Sequence, residues 1–107
     1  MRWTRSADLV LRALDTERAR YAGELAVITS LNPKTVIRHV QELAAEGFAV
    51  SWWEDPAEAS FGRREGLRRD RARRRYYRLT AAGVVLRREW AGLAEAAAER
   101  ARGRYRR

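Results

Sequence analysis

The sequence contains no cysteine and only one histidine, His39. Without cysteine the chain can form neither a disulfide nor a thiolate metal site. A single histidine also excludes metal sites built from several histidines. No glycine-rich phosphate loop follows a predicted strand, and no pair of carboxylates lies in an apolar setting. We therefore expect a protein that is not an enzyme and that needs no cofactor.

Long apolar segments are absent as well. No apolar run approaches the roughly 20 residues that a membrane-spanning helix needs. The first ten residues, MRWTRSADLV, lack the uninterrupted apolar stretch of a signal peptide. These two absences predict a soluble, cytoplasmic protein without a membrane partner.

Positive charge is the feature that the sequence has in excess. The 107 residues include 23 lysines and arginines against 14 acidic residues, a formal net charge of +9, and Lys34 is the only lysine. Part of the arginine excess is also what a GC-rich genome produces. The planar guanidinium nevertheless suits phosphates and guanine edges. A net positive charge of this size indicates a nucleic-acid partner.

The segment from Thr29 to Gly47 predicts a turn followed by one well-marked helix. Asn32 can accept a free N–H of the first helical turn, and Pro33 suits the first helical position, where no N–H is needed. Gly47 can adopt the left-handed conformation that ends a helix. The apolar positions recur at helical spacing and predict one buried stripe: Val36, Val40 and Leu43, with Ala44 beside them.

The polar face of this helix resembles that of a DNA-recognition helix. Lys34, Thr35 and Arg38 lie near its N-terminal end on one side, where donors for base edges and phosphates are placed. We predict that these three contact DNA, with additional contacts from Asn32, His39 and Gln41. The alternative is an ordinary amphipathic helix with a solvated polar face.

Two helices are predicted before this segment. The first begins at Ser6 as its cap and continues to about residue 20, with Leu9 at one side of the stripe, where it can face a second subunit. Its buried stripe comprises Ala7, Val10, Leu11 and Leu14. The second helix, residues 21–28, is predicted to bury Tyr21, Leu25 and Ile28. Two short helices joined by a tight turn form a helix-turn-helix, although a plain three-helix bundle has the same pattern.

The pattern changes to strand periodicity after Gly47. In FAVSWWE the alternation places Phe48, Val50 and Trp52 on one face and the residues between and after them, Ala49, Ser51 and Trp53, on the other. In RRYYRLT it predicts Tyr77 and Leu79 inside, with Tyr76 and Arg78 outside. These strands would form a hairpin with Trp–Tyr pairs across it, joined by a long loop.

The loop of this hairpin is strongly basic. Nine arginines lie between Arg63 and Arg78 against two acidic residues. Arginine at a hairpin tip can enter a minor groove or neutralise phosphates, whereas the alternative is a solvated or disordered surface. The predicted DNA contacts here are Arg63, Arg64, Arg68, Arg69, Arg71, Arg73, Arg74 and Arg75.

The last helix is predicted to begin after its cap, Thr80, and to continue almost to the end of the chain. Its apolar positions recur at helical spacing on a helix that is long for so small a core. The stripe therefore predicts a dimer interface with a second copy of the chain, unless the helix folds back onto the first helix. The predicted interface residues are Leu9, Leu86, Trp90, Leu93 and Ala97.

The order helix, helix, turn, helix, strand, loop, strand, helix is that of a winged helix-turn-helix. The predicted fold is mainly α-helical with a small β-hairpin (an α+β fold) and a long C-terminal helix. Residues 1–80 would form the DNA-binding domain, with the wing at about 48–79. Residues 81–107 would form the dimerisation helix and a basic tail.

Three blocks of the sequence also resemble the PadR-like transcriptional regulators. They are Tyr21–Ala26; Lys34–Leu43 with Glu46–Phe48; and Arg74–Gly83, which contains a Thr-x-x-Gly start to the last helix. The resemblance implies a homodimeric repressor that binds a palindromic operator in double-stranded DNA, associated with the nucleoid in a prokaryote. It also implies a response to small aromatic compounds, with Trp90 as a stacking residue or simply as interface packing. A winged helix that binds RNA or a protein partner is the alternative function.

Overall fold

The computed structural model describes residues 1–57 and 72–104. This part of the chain contains four α-helices and one three-stranded antiparallel sheet. The elements, in chain order, are α1 (Arg5–Ala13), β1 (Arg20–Tyr21), α2 (Ala22–Thr29), α3 (Pro33–Ala45), β2 (Ala49–Trp53), β3 (Arg75–Leu79) and α4 (Ala81–Arg104).

The helical core follows the predicted stripes. The apolar residues predicted for α1 and α3 are almost completely inaccessible except for Ala44, which is partly buried, and Leu25 of α2 joins them. Ile28, in contrast, is 50% exposed, so its predicted burial is wrong. It lies in the last turn of an eight-residue helix, beyond the packed centre, where the Thr29 hydroxyl donates to the Leu25 carbonyl and the helix ends.

The first helix is shorter than predicted and begins earlier. Thr4, and not Ser6, is its cap, because the Thr4 hydroxyl accepts the Ala7 N–H at 3.2 Å. The helix ends at Ala13 rather than near residue 20. The Asp15 carboxylate accepts the N–H groups of Glu17 and Arg18, and these local bonds form a turn that competes with continued helix.

The sheet has the strand order β1–β3–β2, and both pairings are antiparallel. The hairpin of β2 and β3 was predicted, whereas β1 was not. β1 has only two residues, with Arg20 opposite Tyr77 and Tyr21 opposite Tyr76. A strand this short carries no alternation pattern, and it forms because β3 offers a free edge.

The register with β3 decides which face of β2 is buried, a choice that the alternation left open. Tyr77 and Leu79 of β3 are 3% exposed, as predicted, but Val50 and Trp52 are 42% and 40% exposed. The register places Ala49 opposite Leu79, and residues directly opposite each other share a face. The side of the sheet that buries Leu79 therefore buries Ala49, and β2 has to point Val50 and Trp52 outward.

A tight junction joins α3, the sheet and α4. Gly47 has a φ of +83° and reverses the chain after α3. The Thr80 hydroxyl donates to the Gly47 carbonyl at 2.7 Å and accepts the Gly83 N–H at 3.1 Å. Thr80 therefore caps α4, as predicted. It also ties the start of α4 to Gly47, which follows the C-terminal end of α3.

Candidate nucleic-acid interface

The helix α3 is positioned by its caps and its buried stripe. Asn32 accepts the Lys34 N–H at 2.8 Å and Pro33 occupies the first helical position, as predicted. Val36, Val40 and Leu43 are completely buried. Since these anchors face the core, the opposite side of α3 is turned toward solvent.

The solvent side of α3 carries three of the six DNA contacts that were predicted for this helix and its cap. Lys34, Arg38 and Gln41 are exposed and lie on one face at spacings of four and three residues. Arg38 also lies 3.9 Å from the carboxylate of Glu42, with both side chains largely exposed. A solvated ion pair of this kind contributes little to stability, so the Arg38 guanidinium can leave Glu42 for another acceptor.

The remaining α3 candidates have less accessible positions. Thr35 is half-buried, and Asn32 is exposed but uses its side-chain oxygen as the helix cap. The structure adds Ile37, which is 40% exposed on the same side of the helix. Its apolar side chain gave no signal in the sequence, since an isoleucine in a helix is normally assigned to the core.

His39 is not available to a ligand, and its predicted DNA contact is wrong. The side chain is only 5% exposed, and its Nε2 lies 2.8 Å from the Ser6 hydroxyl of α1. The helical position of His39 borders the buried stripe at Val36 and Val40, so packing of α1 covers it. Burial, with a smaller contribution from nearby Arg38, lowers the pKa of His39 below its ordinary value of 6.5.

This lowered pKa predicts a loss of stability in weak acid. Because the folded state favours neutral His39, the unfolded chain takes up a proton first as the pH falls below 6.5. The stability that neutral His39 contributes is therefore fully present above pH 6.5. It is lost as the pH falls toward the lower pKa that His39 has in the folded state. Urea unfolding followed by circular dichroism should give a free energy of unfolding that decreases from pH 7 to pH 5.

The substitution His39→Gln, which keeps a polar group near Ser6, is the control. It should flatten the pH dependence in this interval. The Asp15 carboxyl also has a lowered pKa, because it accepts the Arg18 and Glu17 N–H groups, but it titrates only below its ordinary 3.8. A slope that persists in the His39→Gln variant would assign the effect to another group.

A buried carboxylate, Glu54, organises the base of the wing and was not predicted. It is 3% exposed. Its carboxylate accepts the Arg74 N–H and the Tyr76 hydroxyl, both at 3.3 Å. The Arg73 side chain donates to the Glu54 carbonyl at 2.9 Å. A buried carboxylate is costly unless it is hydrogen-bonded, and here these bonds join the end of β2 to the start of β3.

The arginines at the wing base lie against aromatic rings. The guanidinium of Arg74 lies 4.0 Å from the centroid of the Tyr21 ring, and that of Arg75 lies 5.3 Å from Trp53. Arg73 and Arg75 are exposed, whereas Arg74 is half-buried. The other wing candidates, Arg63, Arg64, Arg68, Arg69 and Arg71, lie outside the described residues.

The outer face of the wing carries the predicted Trp–Tyr pair. Trp52 and Tyr76 are directly opposite in the register and stack with ring centroids 6.3 Å apart. Tyr21 meets Tyr76 edge to face at 5.9 Å. These ring contacts stabilise the pairing of the three strands at the base of the wing.

The C-terminal helix has two different halves. Leu86 and Trp90 are 8% and 3% exposed and belong to the chain's own core, beside α1. Arg87 reinforces this packing by donating to the Leu14 carbonyl at 3.2 Å. Their predicted place on a dimer surface is therefore wrong, and Trp90 has no open face on which a ligand could stack. The first half of α4 does fold back onto α1.

The second half of α4 extends beyond this core. Leu93 is 51% exposed and Ala97 is half-buried, and the described chain measures 68 Å in its longest dimension but only 27 by 20 Å across. Leu9 is half-buried on α1. For these three residues a dimer contact stays a prediction.

Residues 1–57 and 72–104 contain neither a candidate membrane span nor a candidate metal site. None of the helices there has the length and apolar character needed to cross a membrane. The same residues contain no group of three or more His, Asp or Glu side chains that could hold a metal ion.

Three solved structures share this architecture. One, on the regulation of DNA binding of Bordetella bronchiseptica BpsR by 6-hydroxynicotinic acid, aligns with a TM-score of 0.65 and 23% identity over 91% of this chain. This chain spans only 63% of that one. A PadR family transcription regulator from Clostridium difficile aligns with a TM-score of 0.58 and 19% identity, over 87% of this chain and 95% of that one.

The third structure, smu.1704 from Streptococcus mutans, aligns with a TM-score of 0.57 and 21% identity, over 95% of this chain and 91% of that one. No protein-family model and no curated protein matches the sequence. At these identities the likeness shows the fold. The chain shares the winged-helix fold of these structures, with a long C-terminal helix, as predicted.

Proposed function

We propose that the protein is a transcriptional regulator that binds double-stranded DNA in the cytoplasm, close to the nucleoid of a prokaryote. The observation that carries this proposal is the exposed face of α3. Lys34, Arg38 and Gln41 form one row of donors there, on a helix that is capped at its N-terminal end and anchored from behind. An α-helix fits the major groove of B-DNA, and these residue types match its donor and acceptor patterns.

The roles of the α3 side chains follow from their chemistry. Arg38 would read a guanine edge through its two-pronged guanidinium, and Gln41 would pair with adenine or a neighbouring base. Lys34, at the start of the helix, and the Thr35 hydroxyl would bind phosphates. A phosphate near Lys34 would also lie at the positive end of the helix dipole.

The wing would bind the backbone beside the groove that α3 enters. Arg73 and Arg75 are exposed at its base, and the arginines predicted to add phosphate contacts are Arg63, Arg64, Arg68, Arg69 and Arg71. Each phosphate that such an arginine neutralises releases counterions, so this part of the affinity depends strongly on salt.

The protein would act as a homodimer and a repressor. Leu93 and Ala97 lie on the half of α4 that extends past the core, and a second copy of this helix offers the same apolar face. A two-fold dimer would place its two α3 helices about 34–36 Å apart, in successive major grooves of a palindromic operator. Repression would follow from occupying that operator, with a small aromatic compound as effector.

Removal of the Arg38 side chain tests the reading of bases. If Arg38 contacts a guanine, Arg38→Ala should weaken binding to the operator by about 1–3 kcal/mol and relax the base preference at one position of each half-site. Both effects are measured by fluorescence anisotropy with an operator selected from a random duplex pool and with its single-base variants. A structured RNA of equal length is the competitor that tests the alternative nucleic-acid partner.

The matched control is Glu42→Ala, which removes the partner of Arg38 on the same helix. It should leave operator binding unchanged or slightly tighter, since a negative charge near phosphates is lost. If Arg38→Ala weakens binding equally on all sequences, Arg38 is a phosphate contact. If RNA competes better than duplex DNA, the proposed function is wrong.

A further inference from the structure

One apolar side chain interrupts the polar row on α3. Ile37 is 40% exposed, although the apolar stripe on the other side of this helix is completely buried. At 3.6 residues per turn, Ile37 lies within about 60° of Lys34 and Gln41 around the helix axis. Single exposed aliphatic side chains are common on protein surfaces, but this one lies in the row of donors that the proposed function assigns to DNA.

The orientation of Ile37 is fixed by the packing of α3. Val36 precedes it and Val40 follows three residues later, and both are completely buried, so α3 cannot rotate about its axis without exposing them. An isoleucine side chain in a helix also has one strongly preferred χ1 rotamer. Ile37 therefore loses little conformational freedom when it contacts another surface.

The chemistry of the major groove defines what Ile37 can contact. The side chain has no hydrogen-bonding group, so its contribution to a DNA interface can only be apolar. The base edges in this groove present hydrogen-bond donors and acceptors, and the apolar substituent among them is the C5-methyl group of thymine. Against any other edge, Ile37 would cover a donor or an acceptor without pairing it, which costs free energy.

We propose that Ile37 determines specificity by packing against the C5-methyl group of a pyrimidine, and this inference rests on the proposed function. In unmodified DNA that pyrimidine is thymine, whereas in methylated DNA 5-methylcytosine carries the same group. Arg38 would identify a guanine by hydrogen bonds, and Ile37 would identify a second base of the half-site by an apolar contact. The preference for this second base is independent of charge.

The test removes one methyl group from the DNA and leaves the protein unchanged. In the selected operator each thymine is replaced in turn by deoxyuridine, which pairs with adenine in the same way but lacks the C5-methyl group. At one thymine of each half-site the replacement should weaken binding of the full-length protein about fourfold, the effect expected for one methyl group that is no longer buried. Fluorescence anisotropy measures the affinity.

The substitution Ile37→Ala links this methyl group to one side chain. The variant should bind the operator more weakly and should no longer distinguish thymine from deoxyuridine at that position. The matched control is Ile28→Ala, the same substitution at a residue that is 50% exposed on α2. It should keep the fourfold difference. Circular dichroism checks that both variants fold, and the deoxyuridine series with the unmodified protein depends on neither.

Cytosine at the same position distinguishes the two sources of the methyl group. Replacing the thymine–adenine pair by cytosine–guanine should weaken binding, and 5-methylcytosine should then regain about fourfold with the unmodified protein but nothing with Ile37→Ala. Such a gain shows that Ile37 recognises the methyl group on either base. If the gain is absent while deoxyuridine still weakens binding, thymine is the base that Ile37 recognises.

Three results would overturn the role of Ile37. They are an operator in which no thymine responds to deoxyuridine, an Ile37→Ala variant that keeps the fourfold difference, and an Ile28→Ala variant that loses it. In each of these cases the protein still binds a selected operator, so the proposed function stands. If no duplex is enriched from the random pool, the proposed function fails and the role of Ile37 fails with it, which makes the two failures distinguishable.

Discussion

Trp90→Ala is expected to destabilise the folded protomer by about 3–5 kcal/mol, the usual cost of removing a buried tryptophan side chain. Trp90 is 3% exposed and belongs to the core cluster with residues of α1 and the sheet. Because a small domain has a total stability of about 5–15 kcal/mol, this one change should remove a large part of it. Urea unfolding followed by far-ultraviolet circular dichroism measures the loss.

Leu93→Ala is the matched control, one helical turn further along α4. Leu93 is 51% exposed, so its truncation should change the stability of the protomer by less than about 0.5 kcal/mol. The proposed dimer predicts instead that Leu93→Ala weakens self-association in sedimentation equilibrium. Equal unfolding midpoints for Trp90→Ala and the unmodified protein would show that α4 does not pack on the core as described.

Gly83→Ala is expected to lower the free energy of unfolding by about 1–3 kcal/mol, although alanine is the better helix former. A methyl group at Gly83 would overlap the Phe48 carbonyl oxygen and would lie 2.5 Å from the Leu79 side chain. The backbone oxygen cannot rotate away, so the start of α4 has to shift. That shift would strain the bonds that Thr80 makes to Gly47 and to Gly83 itself.

Gly92→Ala, in the same helix, should have the opposite effect. Nothing lies within 4 Å of a methyl group at Gly92, and alanine in a helix is more favourable than glycine by about 0.8–1.0 kcal/mol. Thermal unfolding of the two variants side by side should therefore give a lower midpoint for Gly83→Ala and a higher one for Gly92→Ala. If both substitutions raised the midpoint, the close approach at Gly83 would be absent in solution.

The sequence predicts this fold well wherever the structure is determined by local chemistry. Asn32, Pro33 and Gly47 define the ends of α3, and Thr80 defines the start of α4, through bonds to atoms a few residues away. The apolar stripes of α1 and α3 are also correct, because a regular spacing identifies the buried face of an amphipathic helix.

The errors arise where the burial or pairing of a residue depends on contacts with a distant part of the chain. His39 is polar and was assigned to solvent, but α1 covers it, and Ser6 is 33 residues away. The alternation left open which face of β2 is buried, because this depends on the register with β3, and the unpredicted β1 pairs with β3 across more than fifty residues of sequence. Glu54 is buried because partners from 19 to 22 residues further along the chain surround it.

The candidate site was predicted in a similarly uneven way. The exposed positions of Lys34, Arg38 and Gln41 follow from the helical period of α3. A cavity of about 350 Å³ is lined by Tyr21, Ile37 and Trp53, among other residues. It could not be predicted, because its walls come from segments that are brought together only by the sheet. The length of α4 was predicted correctly, but no periodicity reveals where a helix leaves its own core, and this is why Leu86 and Trp90 were misassigned.

Selection of bound duplexes from a random pool tests the central claim, that α3 and the wing together recognise double-stranded DNA, most directly. The full-length protein should enrich a palindrome whose half-sites are about 10–10.5 base pairs apart, centre to centre. The Arg38→Ala variant should lose the preference at one position in each half-site. Recovery of a random pool without enrichment, at low salt and with folded protein, would contradict the account.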